Sequence, residues 1–147
     1  MASVHDLRTI ALSMPGASQS RAGMAFAVRN GKKEKSFVWV WQERMDPKKP
    51  RRPNVDVWAF RVADLMEKDV MLETNSRKFF TEPHYDGFPA VLVRLKAVRP
   101  TELRRLVELA WRCQAPAAAQ KAREGATRRP DRRAVRRPGR GADPRRR

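Results

Sequence analysis

Apolar residues fall at Val4, Leu7, Ile10/Ala11 and Met14, the spacing that puts side chains on one face of a helix. Ser3 stands at the N-cap position, and Asp6, three residues on, answers the positive end of the helix dipole. Pro15-Gly16 stops the helix, and Ala17 to Ala22 reads as a loop. The period then changes from helical to two. Met24 to Arg29 alternates as a strand, Asn30-Gly31 is a hairpin signal, and Ser36-Phe-Val-Trp-Val-Trp-Gln42 is a second strand rich in aromatic and β-branched residues. Asp56 to Arg61 predicts a third strand returning antiparallel. Beyond it come a short helix over Ala63 to Val70, an extended piece at Lys78-Phe-Phe80, and a turn-rich connection from Glu82 to Pro89 that pivots at Asp86-Gly87. Ala90 to Leu95 is a strand. Pro100-Thr-Glu opens a last long helix with Leu103, Leu106, Val107, Ala110 and Trp111 on one stripe, and Pro116 weakens or ends it.

This order predicts an α+β fold: a single two-layer domain over residues 1–120, an antiparallel sheet with helices packed on one face. Residues 121–147 follow a different rule. Paired arginines separated by proline, glycine and small residues run to Arg147, and such a segment buries too little apolar surface to offset its ordering entropy. It is expected to be a disordered tail with a reach of roughly 25 Å.

Charge changes the picture. The net charge is +17. From Lys121 on, twelve Lys/Arg face Glu124, Asp131 and Asp143, which accounts for +9; residues 1–120 keep +8. The domain is therefore basic in its own right, and a basic surface concentrates phosphates around itself. Cys113 is the lone cysteine, so no intrachain disulfide forms and a reducing compartment is expected. The first residues lack the apolar region of a secretory signal, and no apolar run approaches the roughly 20 residues that span a bilayer. A cytoplasmic protein with no membrane partner is the expectation.

The pieces resemble, in order and spacing, the MmcQ/YjbR family. They are the leading helix into Leu12-Ser-Met-Pro-Gly16, the strand Phe26-Ala-Val-Arg-Asn-Gly-Lys32, the run Phe79-Phe-Thr-Glu-Pro-His-Tyr-Asp-Gly-Phe-Pro89, the strand from Ala90 to Leu95, and the helix from Glu102-Leu103 through Ala110-Trp111. The match covers about residues 3 to 120, and the tail lies outside it. The resemblance implies a frataxin-like α+β fold and a double-wing DNA-binding protein. It brings no catalytic residues.

Three features carry candidate binding chemistry. The tail arginines, Arg128, Arg129, Arg132, Arg133, Arg136 and Arg137 among them, can contact phosphates and release counterions. Two hairpin tips are basic: Lys32, Lys33 and Lys35 at the first, and Lys48, Lys49, Arg51 and Arg52 at the second. The second lies in a loop from Glu43 to Val55. There a proline at every third position, Pro47, Pro50 and Pro53, predicts a stiff extended spike. In a meander, successive tips lie at opposite ends of the sheet, so one ligand meets both only by crossing it. The third feature is aromatic. Phe37, Trp39 and Trp41 share a face by period two, as do Trp58 and Phe60 on the next strand. They are either core or, if the helices pack on the other face, a platform on which single-stranded bases stack.

Together these favour a nucleic-acid-binding protein with little sequence specificity, duplex DNA ahead of RNA. The alternative is an interaction module holding an acidic protein partner through the Pro-basic loop and the tail. No enzyme is expected: His84-Tyr85-Asp86 has no nucleophile or second histidine nearby, and it reads as a satisfied turn. No metal or cofactor is expected, since no His/Cys/Asp/Glu set has ligand spacing. An iron-binding acidic ridge would need carboxylates along the first helix, which carries only Asp6.

Overall fold

A computed structural model describes residues 1–44 and 46–128. Residues 1–116 form one compact unit, and a second begins at Ala117. The first helix, α1 (Val4–Leu12), starts at a full capping box: Ser3 Oγ accepts from the Asp6 amide at 3.1 Å, and Asp6 accepts from the Ser3 amide at 2.9 Å. The hydrogen bond from the Ser3 amide to the carboxylate, with the Ser3 hydroxyl second, holds the exposed Asp6 carboxyl below its ordinary value. At the other end Gly16 takes φ +71°, a left-handed conformation that lets the chain reverse at low cost.

Six strands follow: β1 (Ala17–Gln19), β2 (Ala25–Asn30), β3 (Lys33–Glu43), β4 (Arg52–Arg61), β5 (Phe79–Phe80) and β6 (Ala90–Arg94). They form one sheet in the order β1-β2-β3-β4-β6-β5, and every pairing is antiparallel. The remaining helices are α2 (Leu65–Thr74), α3 (Pro100–Gln114) and α4 (Ala117–Arg128). The α+β sheet-and-helix architecture expected from the sequence is the one found.

Register fixes the faces, because directly paired residues share one. Phe26 pairs with Val38, Val38 with Phe60, Val40 with Trp58, and Trp58 with Val93. All are buried, and they form the floor of the main core under α3, whose Leu103, Val107, Ala110 and Trp111 are buried in turn. The opposite face carries Trp39 paired with Ala59, Ala59 paired with Leu92, and Phe80 paired with Leu92. So the tryptophans split: Trp58 lies in the main core, Trp39 and Trp41 on the other side. A bulge explains part of this. Phe26 pairs with Val38 but Ala27 with Ser36, so Phe37 is an extra residue, and the shared face expected for Phe37, Trp39 and Trp41 does not hold.

Four local expectations are corrected. The loop expected at Ala17–Ala22 begins with edge strand β1, which pairs with β2 although its three residues show no apolar alternation. The short helix expected over Ala63–Val70 starts two residues later and runs to Thr74, because Asp64 caps it from outside by accepting the Glu67 amide at 2.8 Å. The spike expected between Glu43 and Val55 is a turn: Asp46 captures the Lys48 amide at 2.9 Å and its carbonyl accepts from the Lys49 amide, so a local carboxylate overrides the extended preference of the prolines. Strand β4 then begins at Arg52 and takes in Pro53. Finally, residues 121–128, expected in the tail, continue α4, an Ala-rich helix with Gly125 as its lone break in propensity. The rest of the expected tail, residues 129–147, lies outside the described residues.

Candidate nucleic-acid interface

The two basic tips are the ends of one long strand. At the first, Asn30 pairs with Lys33, so the two turn residues are Gly31 and Lys32, one step later than the Asn-Gly signal implied. Gly31 has φ +66°, as a turn with glycine at its first central position requires. Asn30 is thereby released from the turn, and its side-chain amide donates to the Gln114 carbonyl at the end of α3 at 3.1 Å. Gln114 returns a bond to the Ser36 carbonyl at 3.0 Å. The first tip is therefore braced against α3. Lys32, Lys33 and Lys35 stand exposed on it beside Arg29, against the single acid Glu34, a net +3.

At the second tip, Arg44, Lys48, Lys49, Arg51 and Arg52 face Glu43 and Asp46, again a net +3. Arg51 is committed: its guanidinium donates to the Gln42 carbonyl at 2.8 Å and pairs with Glu82 at 3.1 Å. It ties the tip to the sheet rather than offering charge to a ligand. Lys48, Lys49 and Arg52 are exposed and take part in none of the ion pairs found among the described residues. The same holds for Lys32, Lys33 and Lys35. Of the tail arginines, Arg128 ends α4, and Arg129, Arg132, Arg133, Arg136 and Arg137 lie outside the described residues.

The eleven residues of β3 separate the two tips, roughly 35 Å at the ordinary rise of a strand. That is one helical turn of duplex DNA.

The face with Trp39 and Trp41 is not a bare platform. The segment from Thr81 to Pro89 crosses it. Tyr85 is buried there with Val57, Ala59, Ala90 and Leu92, and Trp39, Trp41 and Phe80 pack around them. The rings meet edge to face: Trp41 on Phe80 at 5.3 Å and Trp39 on Phe88 at 6.2 Å. Trp39 Nε1 donates to Tyr85 Oη at 3.1 Å. Burial pushes the Tyr85 phenol above its ordinary value. This second, smaller core uses the ring contacts that base stacking would need, so the stacking expectation is set aside. His84 and Tyr85 belong to a single turn of 3-10 helix (Pro83–Tyr85) that Asp86 ends in an extended conformation before Gly87, φ +73°, with His84 resting edge-on against Tyr85.

One residue here gave no signal in the sequence. Lys68 is the buried residue of α2, only 4% exposed, and its Nζ donates to the carbonyls of Tyr85 at 2.6 Å and Phe88 at 3.0 Å. Desolvation pushes its pKa down, against the pull of Asp86 and Asp69. A lysine between Glu67 and Asp69 reads as a solvated face, while Leu65, Met66 and Val70 of the same helix are exposed. Periodicity cannot reveal a helix packed with its polar side inward.

The comparisons agree with this architecture. The chain is similar in fold to Deinococcus radiodurans protein DR2400, a DUF419 domain solved by crystallography, with a TM-score of 0.58 over 83% of this chain and 88% of that one. Identity is 16%, so the likeness is one of fold. DUF419 is a YjbR/MmcQ-like family. By sequence, the chain is 41% identical over 64 residues to uncharacterized proteins of Mycobacterium tuberculosis and Mycobacterium bovis. That stretch is 44% of this chain, and the chain spans about half the length of the curated relatives it matches. No family model matches.

Among the described residues, no three His, Cys, Asp or Glu side chains are grouped to hold a metal ion. No helix among them is long and apolar enough to cross a membrane.

Proposed function

We propose that this is a nucleic-acid-binding protein of the MmcQ/YjbR type that acts in the cytoplasm. It binds duplex DNA ahead of RNA, through phosphates and with little sequence specificity. The spacing of the tips carries the reading. Two clusters, each +3 and each with at least three exposed cations in none of the ion pairs found among the described residues, stand one duplex turn apart at the ends of a braced strand. A duplex reaching from one end of β3 to the other would offer phosphates to both. One ligand meets both tips only by crossing the sheet, and a rod of this repeat does so. Residues 129–147 would add charge without adding geometry.

Fluorescence anisotropy over a salt series tests this with the full chain, a 20-bp duplex and an 8-bp duplex too short to bridge the tips. Each phosphate contact adds about 0.9 to the slope of log affinity against log salt. Replacing Lys48, Lys49 and Arg52 with alanine, or Lys32, Lys33 and Lys35, removes three contacts and lowers the 20-bp slope by about 2.7. On the 8-bp duplex either triple variant leaves the slope near wild type, because the remaining tip binds alone. Unchanged slopes on the long duplex would sink the proposal. An acidic protein partner has no such repeat, so equal losses on both duplex lengths, with an acidic peptide displacing either duplex from the wild-type chain, would favour that reading instead.

A further inference from the structure

Helix α3 packs on β2, β3 and β4, while α2 leans on β5 and β6. A cavity of about 320 Å³ remains between them, at the small end of the range for small-molecule sites. Its apolar wall is Phe60, Val62, Met71, Leu106 and Leu109. A second hollow of about 290 Å³ shares Met71, Leu106 and Leu109 and extends the groove toward Phe79. The polar wall is Arg61, Arg112 and Glu67, with the Cys113 thiol beside them. Arg112 pairs with Glu108 at 3.4 Å. Arg61 differs. Its guanidinium rests on the Phe88 ring at 5.1 Å, and its Nε is buried with no hydrogen-bond partner among the described residues. A buried donor left unpaired beside a cavity is costly unless something supplies an acceptor.

We propose that this groove binds a small monocarboxylate with an apolar body. Arg61 holds the carboxylate, and Met71, Leu106 and Leu109 cover the hydrocarbon. A carboxylate matches the guanidinium best, since charge-assisted bonds to Arg are short and strong. Glu67 repels an anion in its part of the wall, which confines the carboxylate to the Arg61 end and leaves the apolar wall for the rest. The site is separate from both basic tips, and it stands or falls without DNA binding.

The probes are octanoate and its uncharged analogue octanol, titrated into the full chain carrying ¹³C-methyl methionine. Alkylation of Cys113 by iodoacetamide is followed in parallel. Octanoate is expected to shift the Met71 methyl saturably and to slow Cys113 alkylation, with octanol at least tenfold weaker. Arg61→Met is expected to cost octanoate about tenfold or more and to leave octanol unchanged. Because Arg61 also packs on Phe88, a second variant guards the test. Leu109→Trp, at a partly exposed position, fills the groove with Arg61 intact and is expected to abolish both the shift and the protection. Equal binding of octanoate and octanol would overturn the anchor. Failure of octanoate to saturate Met71, or binding that survives Leu109→Trp, would overturn the site.

Discussion

Replacing Lys68 with methionine tests how the second core is held. The side chain is nearly isosteric, so the change removes two bonds without opening a large cavity. The geometry sets the size of the effect. The Tyr85 carbonyl also accepts from the Phe88 amide at 3.1 Å, and the Phe88 carbonyl from the Ala90 amide at 2.8 Å. Neither oxygen is therefore orphaned when Nζ is lost. The cost is two charge-assisted bonds, about 3 kcal/mol together at the low end of their range. Against it stands the burial of a thioether in place of a desolvated ammonium, about 1 to 2 kcal/mol. The net loss is about 1 to 2 kcal/mol, or roughly 4 to 8 °C in Tm for a unit of this size.

The pH dependence follows from the direction of the Lys68 shift. Burial depresses its folded pKa below the 10.5 of the unfolded chain. Between the two values the unfolded state holds a proton that the folded state has released, so wild-type stability rises with pH across that window. Lys68→Met has no such proton. Its deficit against wild type is expected to widen as pH rises toward 10.5. The raised phenol of Tyr85 works the other way, its stabilisation being lost as pH rises above 10.0, but it is common to both proteins and cancels in the difference. Urea unfolding followed by tryptophan fluorescence from pH 7 to 10.5 measures both quantities. A variant as stable as wild type, or a deficit that narrows as pH rises, would refute this account of Lys68.

Arg51→Ala is expected to leave the salt slope of DNA binding within about one phosphate of wild type and to cost under about 1 kcal/mol of stability in chemical denaturation, since Arg51 spends its charge on Glu82 at a partly exposed pair. Gly16→Ala has room, with the nearest atom 3.6 Å from the new Cβ, yet φ +71° should cost about 1 to 2 kcal/mol by calorimetry. Trp39→Phe loses the bond to Tyr85 Oη and is expected to cost about 1 kcal/mol, with faster amide exchange in residues 81–89. The Cys113 thiol, pushed up by burial, is expected to react with iodoacetamide at pH 8 several-fold more slowly than free cysteine, because less of it is thiolate.

What the sequence made legible follows how local each signal is. The Ser3 cap of α1 and the α3 stripe rest on contacts within a few residues, and each stands where the pattern placed it. The misreadings came where a distant partner decides, or where one nearby side chain overrides the preference of its neighbours. Asn30-Gly31 looked like the turn, but Asn30 is drawn to the end of α3, 84 positions away, and the turn slips to Gly31-Lys32. The prolines of the second loop favoured extension until the Asp46 carboxylate closed a turn among them. The faces of β3 could not be read by counting in twos, because the bulge at Phe37 resets the count; its pairing residues Phe26, Ala27 and Ser36 show nothing unusual in sequence.

The same distinction separates the two halves of the proposed interface. The charge of each tip is a property of neighbours in the chain and is visible as lysines and arginines around a turn. Which of those cations remain available is a tertiary fact. Arg51 looks the same as Arg52 in sequence, yet it is held by Glu82, a residue 31 positions on that belongs to the segment covering the second core. The Thr81–Pro89 segment thus reaches both features: Tyr85 closes the Trp39 face, and Glu82 fixes the position of the second tip. Loosening it through Lys68 should therefore leave the charge of that tip intact while blurring its distance from the first. Affinity for a 20-bp duplex would fall more than affinity for an 8-bp one, an outcome that simple removal of charge does not produce.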